Sequence, residues 1–246
     1  MVQKEKVKKL KDKLIVALDT DDGEDIDWLS GTLIEVVPWV KIGFQAFSTL
    51  GIEAFPWLSA RGHKVFLDLK FHDIPNTVAR DVGMMTKHGA NMINMHAAGG
   101  LEMMQTARNS ADDAAYKADI PRPILLGVTI LTSMDETGFQ QNFGSERQLA
   151  EQVVYLAQLT QAAGLDGVVA SPLEIEPIRK ACGDNFLIVT PGIRPKWAET
   201  GDQRRITTPA EAINRGADYI VVGRPIIEAE DPLEAAEMIL DEMREA

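Results

Sequence analysis

Short apolar runs rich in β-branched residues recur along the chain, and each is followed by a stretch with apolar residues at helical spacing. The first run, Leu14–Leu18, is apolar throughout, as a strand covered on both faces must be. After it, Ile26, Leu29, Leu33 and Val36 fall on one helical face, with Asp25 placed to cap. Val40–Gly43 predicts a second strand and Phe44–Arg61 a helix that Gly62 ends. Lys64–Lys70 predicts a third strand, and Pro75 opens a helix carrying Val78, Val82 and Met85. Asn91–His96 and Leu101–Tyr116 form the fourth strand and helix, and Pro123–Val128 the fifth strand, followed by a loop through Gly144. Leu149, Val153 and Leu156 mark the fifth helix. Gly167–Ala170 is the sixth strand, with a short helix over Leu173–Ala181. Phe186–Thr190 is the seventh, with a polar loop to Ile206 and a helix over Pro209–Arg215. Tyr219–Gly223 is the eighth strand, and Asp231 caps a last helix with Leu233, Ala236, Leu240 and Met243 inward.

Strict alternation forces parallel strands joined by crossover helices. Eight such units in 246 residues, with no linker or shift of composition between them, predict an α/β fold: a closed (β/α)8 TIM barrel forming a single domain over residues 1–246. A doubly wound dinucleotide-binding sheet fits less well. The first strand is followed by Asp19-Thr20-Asp21-Asp22-Gly23, which lacks the G-x-G-x-x-G turn and would repel a pyrophosphate.

Composition narrows the function classes. The net charge is −12, from 25 Lys and Arg against 37 Asp and Glu, which argues against a nucleic-acid binder and makes each cation near a strand end informative. Cys182 is the single cysteine, so no internal disulfide and no thiolate zinc site is expected. Residues 1–14 are lysine-rich and lack the apolar segment of a signal peptide, and no run approaches a membrane span. A cytoplasmic protein without membrane or nucleic-acid partners is the expectation.

In a barrel, chemistry sits at the C-terminal ends of the strands. The polar residues there are Asp19, Lys41, Asp68, Lys70, Asp73, Asn94, His96, Thr132, Arg194 and Arg224. The densest group is Asp68-Leu69-Lys70-Phe71-His72-Asp73. Asp68 and Lys70 are two apart on a strand and share a side, while Leu69 points toward the helices. Lys41 ends the neighbouring strand, so lysines and carboxylates alternate. A purely structural ion-pair network is a weaker account of the whole group, because each unpaired ion in a partly desolvated mouth costs several kcal/mol. A lysine flanked by carboxylates stays an ammonium, suited to donating a proton and unsuited to forming a Schiff base. A fixed carboxylate beside an anionic substrate group repels it by about 4 kcal/mol at ~4 Å, and that repulsion vanishes if the group leaves as CO2. The pattern therefore permits decarboxylation without a cofactor. At the other side, Pro191-Gly192-Ile193-Arg194 and Gly223-Arg224-Pro225 follow the seventh and eighth strands, where barrels bind phosphate.

Weaker features read as structure. Asp19, Asp21 and Asp22 fail the spacing of a calcium loop, and no metal set is evident. His72 and His96 suit hydrogen-bonded structural roles. Trp28, Trp39 and Trp57 suit packing of the outer helices, and Met84, Met85, Met103 and Met104 suit core filling.

The segment Asp68–Thr77, DLKFHDIPNT, resembles the signature of the orotidine 5′-phosphate decarboxylase family. VALD ending at Asp19, KIG from Lys41, HAAGG from His96, LTS around Thr132, TPGIRP ending at Pro195, GDQRRI from Gly201 and VVGRPI from Val221 extend the resemblance over the whole chain, in order. The resemblance implies loss of CO2 from orotidine 5′-monophosphate to give UMP, the last step of de novo pyrimidine synthesis, with no metal, flavin or pyridoxal phosphate. It implies that Lys70 protonates carbon 6 and that Asp68 presses on the substrate carboxylate. Lys41 would hold the network and contact the ribose. Asp73 and Thr77 would reach into a partner's site, making a homodimer. Asp19 would bind ribose, Thr132 would lie near the base, and Arg194, Gln203, Gly223 and Arg224 would hold phosphate. The loop 191–206 is expected to order with nucleotide. A chain without a fused transferase suggests a bacterial protein. Two rivals remain: a Mg²⁺-dependent sugar-phosphate decarboxylase or aldolase of the same barrel suite, which shares Asp-x-Lys-x-x-Asp but not the Ile74-Pro75-Asn76-Thr77 that follows, and a non-catalytic phosphate-ligand sensor.

Overall fold

The structure, a computed structural model, describes residues 10–198 and 207–246. Eight parallel strands close into a barrel in sequence order: β1 (Leu14–Ala17), β2 (Trp39–Ile42), β3 (Lys64–Phe71), β4 (Met92–His96), β5 (Ile124–Val128), β6 (Gly167–Val169), β7 (Leu187–Thr190) and β8 (Tyr219–Val222), with β8 pairing back onto β1. Around them run α1 (Gly23–Leu33), α2 (Phe44–Leu50), α3 (Ala54–Ala60), α4 (Pro75–Lys87), α5 (Gly100–Ala118), α6 (Glu136–Phe143), α7 (Leu149–Ala162), α8 (Ile175–Cys182), α9 (Pro209–Asn214), α10 (Arg224–Ile227) and α11 (Pro232–Arg244).

Alternation along each strand makes two cores. Ile15, Ala17, Trp39, Phe66, Met92, Leu126, Val189 and Val221 fill the barrel interior. Leu14, Val16, Val40, Ile42, Val65, Leu67, Ile93, Leu125, Ile188 and Val222 face the helices in a much larger cluster. Runs apolar at every position follow from this double coverage. Helix α7 lies close to the barrel at Gly127, where an added Cβ would come within 2.3 Å of Thr160 Oγ1.

The N-terminal rim is stitched by a repeated device. Asn91 before β4, Asp166 before β6 and Asp218 before β8 each accept from a backbone N–H at the start of the preceding strand: Val65 at 2.8 Å, Leu125 at 2.7 Å and Ile188 at 2.8 Å. Arg122 grips Asp166 with two hydrogen bonds of 2.8 and 2.7 Å, and Arg179 pairs with Asp218. Charge at this end ties strands together, and the opposite end is left for chemistry.

Several expectations need correction. The helix expected over 44–61 is two helices joined by a 3-10 turn, Gly51–Glu53, with Gly51 at φ 60°. The stretch expected as a loop before Gly144 contains α6, capped by Asp135. Asp22, not Asp25, caps α1 by accepting from the Glu24 and Asp25 N–H groups. Trp39 is inside the barrel, edge-on to Tyr219 at 5.7 Å, because it stands on the inward side of β2. Met84 is exposed on α4, unlike Met85, Met103 and Met104. Among the described residues, no helix is long and apolar enough to cross a membrane.

Candidate active site

Inward-facing positions turn polar at the C-terminal ends of the first strands. Ala17 pairs in register with Lys41, and Lys41 with Phe66, so Asp19, Lys41 and Asp68 rise into the mouth above the apolar floor. There they form one unbroken line of alternating charge. Lys41 Nζ lies 2.8 Å from Asp19 Oδ1 and 3.2 Å from Asp68 Oδ2, and Lys70 Nζ lies 2.8 Å from Asp68 Oδ1. Lys41 is buried and Asp68 largely so, with 13% of its side chain exposed, whereas Asp19 and Lys70 open onto the mouth. The second carboxylate of the line within this chain is thus Asp19, with Asp73 elsewhere.

Burial alone would lower the pKa of Lys41, but the carboxylates of Asp68 and Asp19 outweigh it and raise it above the ordinary lysine value. Burial would likewise raise Asp68, yet Lys41 and Lys70, with hydrogen bonds from Lys70 and Asn94, bring its carboxyl below the usual range. Each contact near 3 Å is worth roughly 5 kcal/mol at an effective dielectric of about 20, enough to offset a desolvation cost of several kcal/mol per ion. Both oxygens of Asp68 face ammonium groups, a setting that repels a metal cation.

Strand β3 is irregular where it carries this chemistry. Its pairing with β4 slips between Leu67 and Phe71, and Lys70 adopts φ 51°, a left-handed conformation that costs about 1–3 kcal/mol for a non-glycine residue. Leu69 packs into the outer core as expected. Gly43 stands beside the line, where a side chain would press on it. A Cβ there would stand 3.1 Å from both Asp19 Oδ1 and Lys41 Nζ.

Two cavities meet at the lysines. The larger, about 610 Å³, is lined by Asp19, Lys41, Gly43, Asp68 and Lys70 on one side and by Pro191, Gly192, Arg194, Gly223, Arg224 and Glu228 on the other. The smaller, about 170 Å³, is lined chiefly by apolar side chains, Phe66, Val128, Ile130, Leu131, Val169, Ala170 and Val221, and also by Thr132, with Lys41, Asp68 and Lys70 at its edge. Arg194 is buried, its backbone N–H bonded to Thr207 O at 3.0 Å. Gly223 leads into the short helix α10, which begins at Arg224.

Not every expected residue converges. Asp73 lies in the β3–α4 loop, exposed, its side chain accepting from the Ile74 N–H at 2.6 Å, and lines neither cavity. Thr77, in the first turn of α4, also lines neither. Gln203, with the rest of 199–206 in the loop expected to order with nucleotide, falls outside the described residues. The rings of His72 and His96 pack on each other, with centroids 5.2 Å apart. Burial, with His72 and Lys70 nearby, lowers the pKa of His96. Among the described residues, no group of three or more His, Cys, Asp and Glu side chains could hold a metal ion.

A parallel barrel with a buried lysine–carboxylate line at its mouth, facing arginines at the ends of β7 and β8, defines a class of (β/α)8 enzyme. The model of the orotidine 5′-phosphate decarboxylase / HUMPS family matches residues 12–239. An orotidine 5′-phosphate decarboxylase of Moorella thermoacetica is 47% identical over 95% of this chain and 92% of its own, and one of Pelobacter propionicus is 49% identical over 94% and 95%. The crystal structure of orotidine 5′-phosphate decarboxylase from Lactobacillus acidophilus superposes with a TM-score of 0.81 at 38% identity, covering 94% of this chain and 98% of that one. The chain belongs to the orotidine 5′-phosphate decarboxylase / HUMPS family.

Proposed function

We propose that this protein is a carboxy-lyase that removes the carboxyl group of orotidine 5′-monophosphate as CO2 and leaves UMP, in pyrimidine biosynthesis. The observation that carries this reading is the line Asp19–Lys41–Asp68–Lys70, lying where an enclosed apolar cavity opens into a polar one rimmed by Arg194 and Arg224. The pyrimidine fits the apolar cavity near Thr132. Ribose lies along Asp19 and Lys41, and phosphate meets Arg194, Gly223 and Arg224, with Gln203 joining them.

In that placement the substrate carboxylate is pressed against Asp68, whose lowered pKa keeps it anionic. The bond from carbon 6 to the carboxyl carbon breaks, CO2 leaves as a neutral molecule, and the carboxylate's negative charge stays behind on carbon 6 as an electron pair, away from Asp68. The electron pair left on carbon 6 is stabilised by the Lys70 ammonium and takes a proton from Nζ. Lys70 is then reprotonated from solvent. Binding energy gathered at the phosphate, remote from carbon 6, holds the carboxylate against Asp68.

Asp73 and Thr77 support a homodimer. They belong to a signature shared with the family, yet lie outside both cavities, and the neighbouring Ile74 is 66% exposed. A second copy that brings Asp73 to the Lys70 end of the line would complete an alternating pentad. The reaction needs no bound metal or organic cofactor, and its place is the cytoplasm.

Mixing the protein with orotidine 5′-monophosphate and following pyrimidine absorbance tests the reading, and turnover is expected to persist in EDTA. An unchanged spectrum points to the sensor, and loss in EDTA to the Mg²⁺ enzyme. Lys70→Ala is expected to lose turnover by at least about a thousandfold while calorimetry shows UMP bound within a few-fold of wild type.

A further inference from the structure

Asn94 is fully buried on β4, and no step above employs it. Its side chain joins two parts of the site. Nδ2 donates to Asp68 Oδ1 at 2.6 Å, and Oδ1 accepts from the Lys70 backbone N–H at 2.8 Å. Neither partner can exchange roles, since a carboxylate only accepts and an N–H only donates, so the amide has one orientation that satisfies both.

The second bond falls at the break in the ladder. Leu67 pairs with Ile93 and Phe71 with Met95, so Asp68, Leu69 and Lys70 together span the single residue Asn94. Successive N–H groups of β3 face alternate neighbours, and that of Lys64 bonds Pro38 O on the β2 side, so in an even ladder the Lys70 N–H would also face β2. The break turns it toward β4, where the Asn94 side chain accepts it and holds Lys70 at φ 51°, a conformation lysine rarely adopts. The first bond fixes the carboxylate. Asp68 Oδ1 takes Nδ2 and the Lys70 ammonium, while Oδ2 faces Lys41. A neutral amide at this point sets the rotation of Asp68 without adding a third cation.

We propose that Asn94 is a positioning residue for the decarboxylation: its carbonyl holds the left-handed backbone of Lys70 and its amide orients Asp68, so that Nζ is aimed at the reacting carbon. This rests on the reading of the site given above. Without Asn94 the Lys70 backbone relaxes toward an extended conformation and Nζ swings off its line. Nucleotide binding, seated on the arginines across the mouth, is left intact.

The test compares Asn94→Ala and Asn94→Asp with wild type. For Asn94→Ala the expected result is kcat lower by about a hundredfold or more, with KM and the affinity for UMP within about threefold, the split that lost positioning in the transition state produces. Asn94→Asp keeps an acceptor for the Lys70 N–H but loses the donor to Asp68. It is expected to be impaired at pH 8 and to regain kcat as the pH is lowered and its carboxyl becomes a donor, surrounded by Asp68 and Lys70 from β3, Lys41 from β2, Asp19 beyond β1 and His96 on its own strand. A kcat for Asn94→Ala within threefold of wild type, or kcat falling only in step with UMP affinity and melting temperature, overturns the proposal. The crystal structure of Asn94→Ala provides an arm independent of turnover: Lys70 still at positive φ, with Nζ still on Asp68, overturns it whether or not wild type acts on orotidine 5′-monophosphate. If Asn94→Ala does not fold, the nearly isosteric Asn94→Leu, which offers neither the acceptor nor the donor, decides both arms. A wild type inactive on that nucleotide counts against the decarboxylase reading, and the crystallographic arm still decides the role of Asn94.

Discussion

At the scale of single residues, Asp68 is the hinge of the site. It lies between two ammonium groups, with Oδ1 2.8 Å from Lys70 and Oδ2 3.2 Å from Lys41, and its carboxyl pKa is lowered despite burial. A carboxyl depressed in the folded state contributes stability that is present above its unfolded pKa and lost as the pH falls through the folded value. Lys41, raised in the folded state, contributes stability that is present below its unfolded pKa and lost as the pH rises through the folded one. Both contributions are complete between about pH 5 and 9. Asp68→Asn breaks both pairs and leaves Lys41 buried with Asp19 alone. Urea unfolding at pH 7 is expected to show a loss of about 3 kcal/mol, the scale for removing one partner of a buried pair. The deficit should shrink as the pH falls below about 4, where the carboxyl of the unfolded chain takes up a proton, and vanish once the folded Asp68 is itself protonated. A deficit constant down to pH 2 would show that packing, not charge, is what the substitution removes.

At the scale of elements, the strand ends were legible because a charge closing an apolar run stands out: Asp19 after Leu14–Leu18, Lys41 after Val40, Asp68 after Leu67. The arginines after β7 and β8 were legible for the same reason. The slip in β3 was not, since Lys70 carries none of the glycine or asparagine signal that announces a left-handed turn, and the device that holds it there is a side chain on another strand. Asn94 could be placed at a strand end, but its two bonds depend on a register no local pattern encodes. The side of Trp39 is not encoded locally, since a large aromatic fits either face of a strand equally well by composition. The Gly51 break is hidden in the sequence because apolar spacing continues across it through Phe47, Ile52 and Phe55. The N-terminal rim offers a control on these distinctions. Asp166 binds Arg122 twice and the Leu125 N–H once, at the end of the barrel away from the lysines. Asp166→Ala is expected to cost about 2 kcal/mol by stranding that N–H and the guanidinium, lowering the melting temperature by several degrees. Its kcat at 25 °C should equal that of wild type. A fall in kcat would mean that the two ends of the barrel are mechanically linked.

At the scale of the whole molecule, an acidic protein of net charge −12 must bind a nucleotide bearing both a phosphate and a carboxylate against its own field. The larger cavity answers this locally, with Lys41, Lys70, Arg194 and Arg224 against Asp19, Asp68 and Glu228. Asp19 and Asp68 balance the buried Lys41, and the surplus charge sits where phosphate is expected. The line Asp19–Lys41–Asp68–Lys70 is neutral, and a second copy supplying Asp73 would place an acid on the far side of Lys70, taking it to a net charge of −1. That geometry has an arithmetic consequence. In a dimer of one Lys70→Ala chain and one Asp73→Asn chain, one site carries both defects. The other joins an intact Lys70 to an intact Asp73. Random mixing after unfolding and refolding makes half of the dimers mixed, each with one of two sites intact, so about a quarter of wild-type activity returns from two inactive parents. Coexpression with two affinity tags isolates the mixed species, which should turn over at about half the wild-type rate per dimer. If the mixed dimer is as inactive as its parents, Asp73 acts within its own chain, and the β3–α4 loop must fold back over the mouth to bring it there.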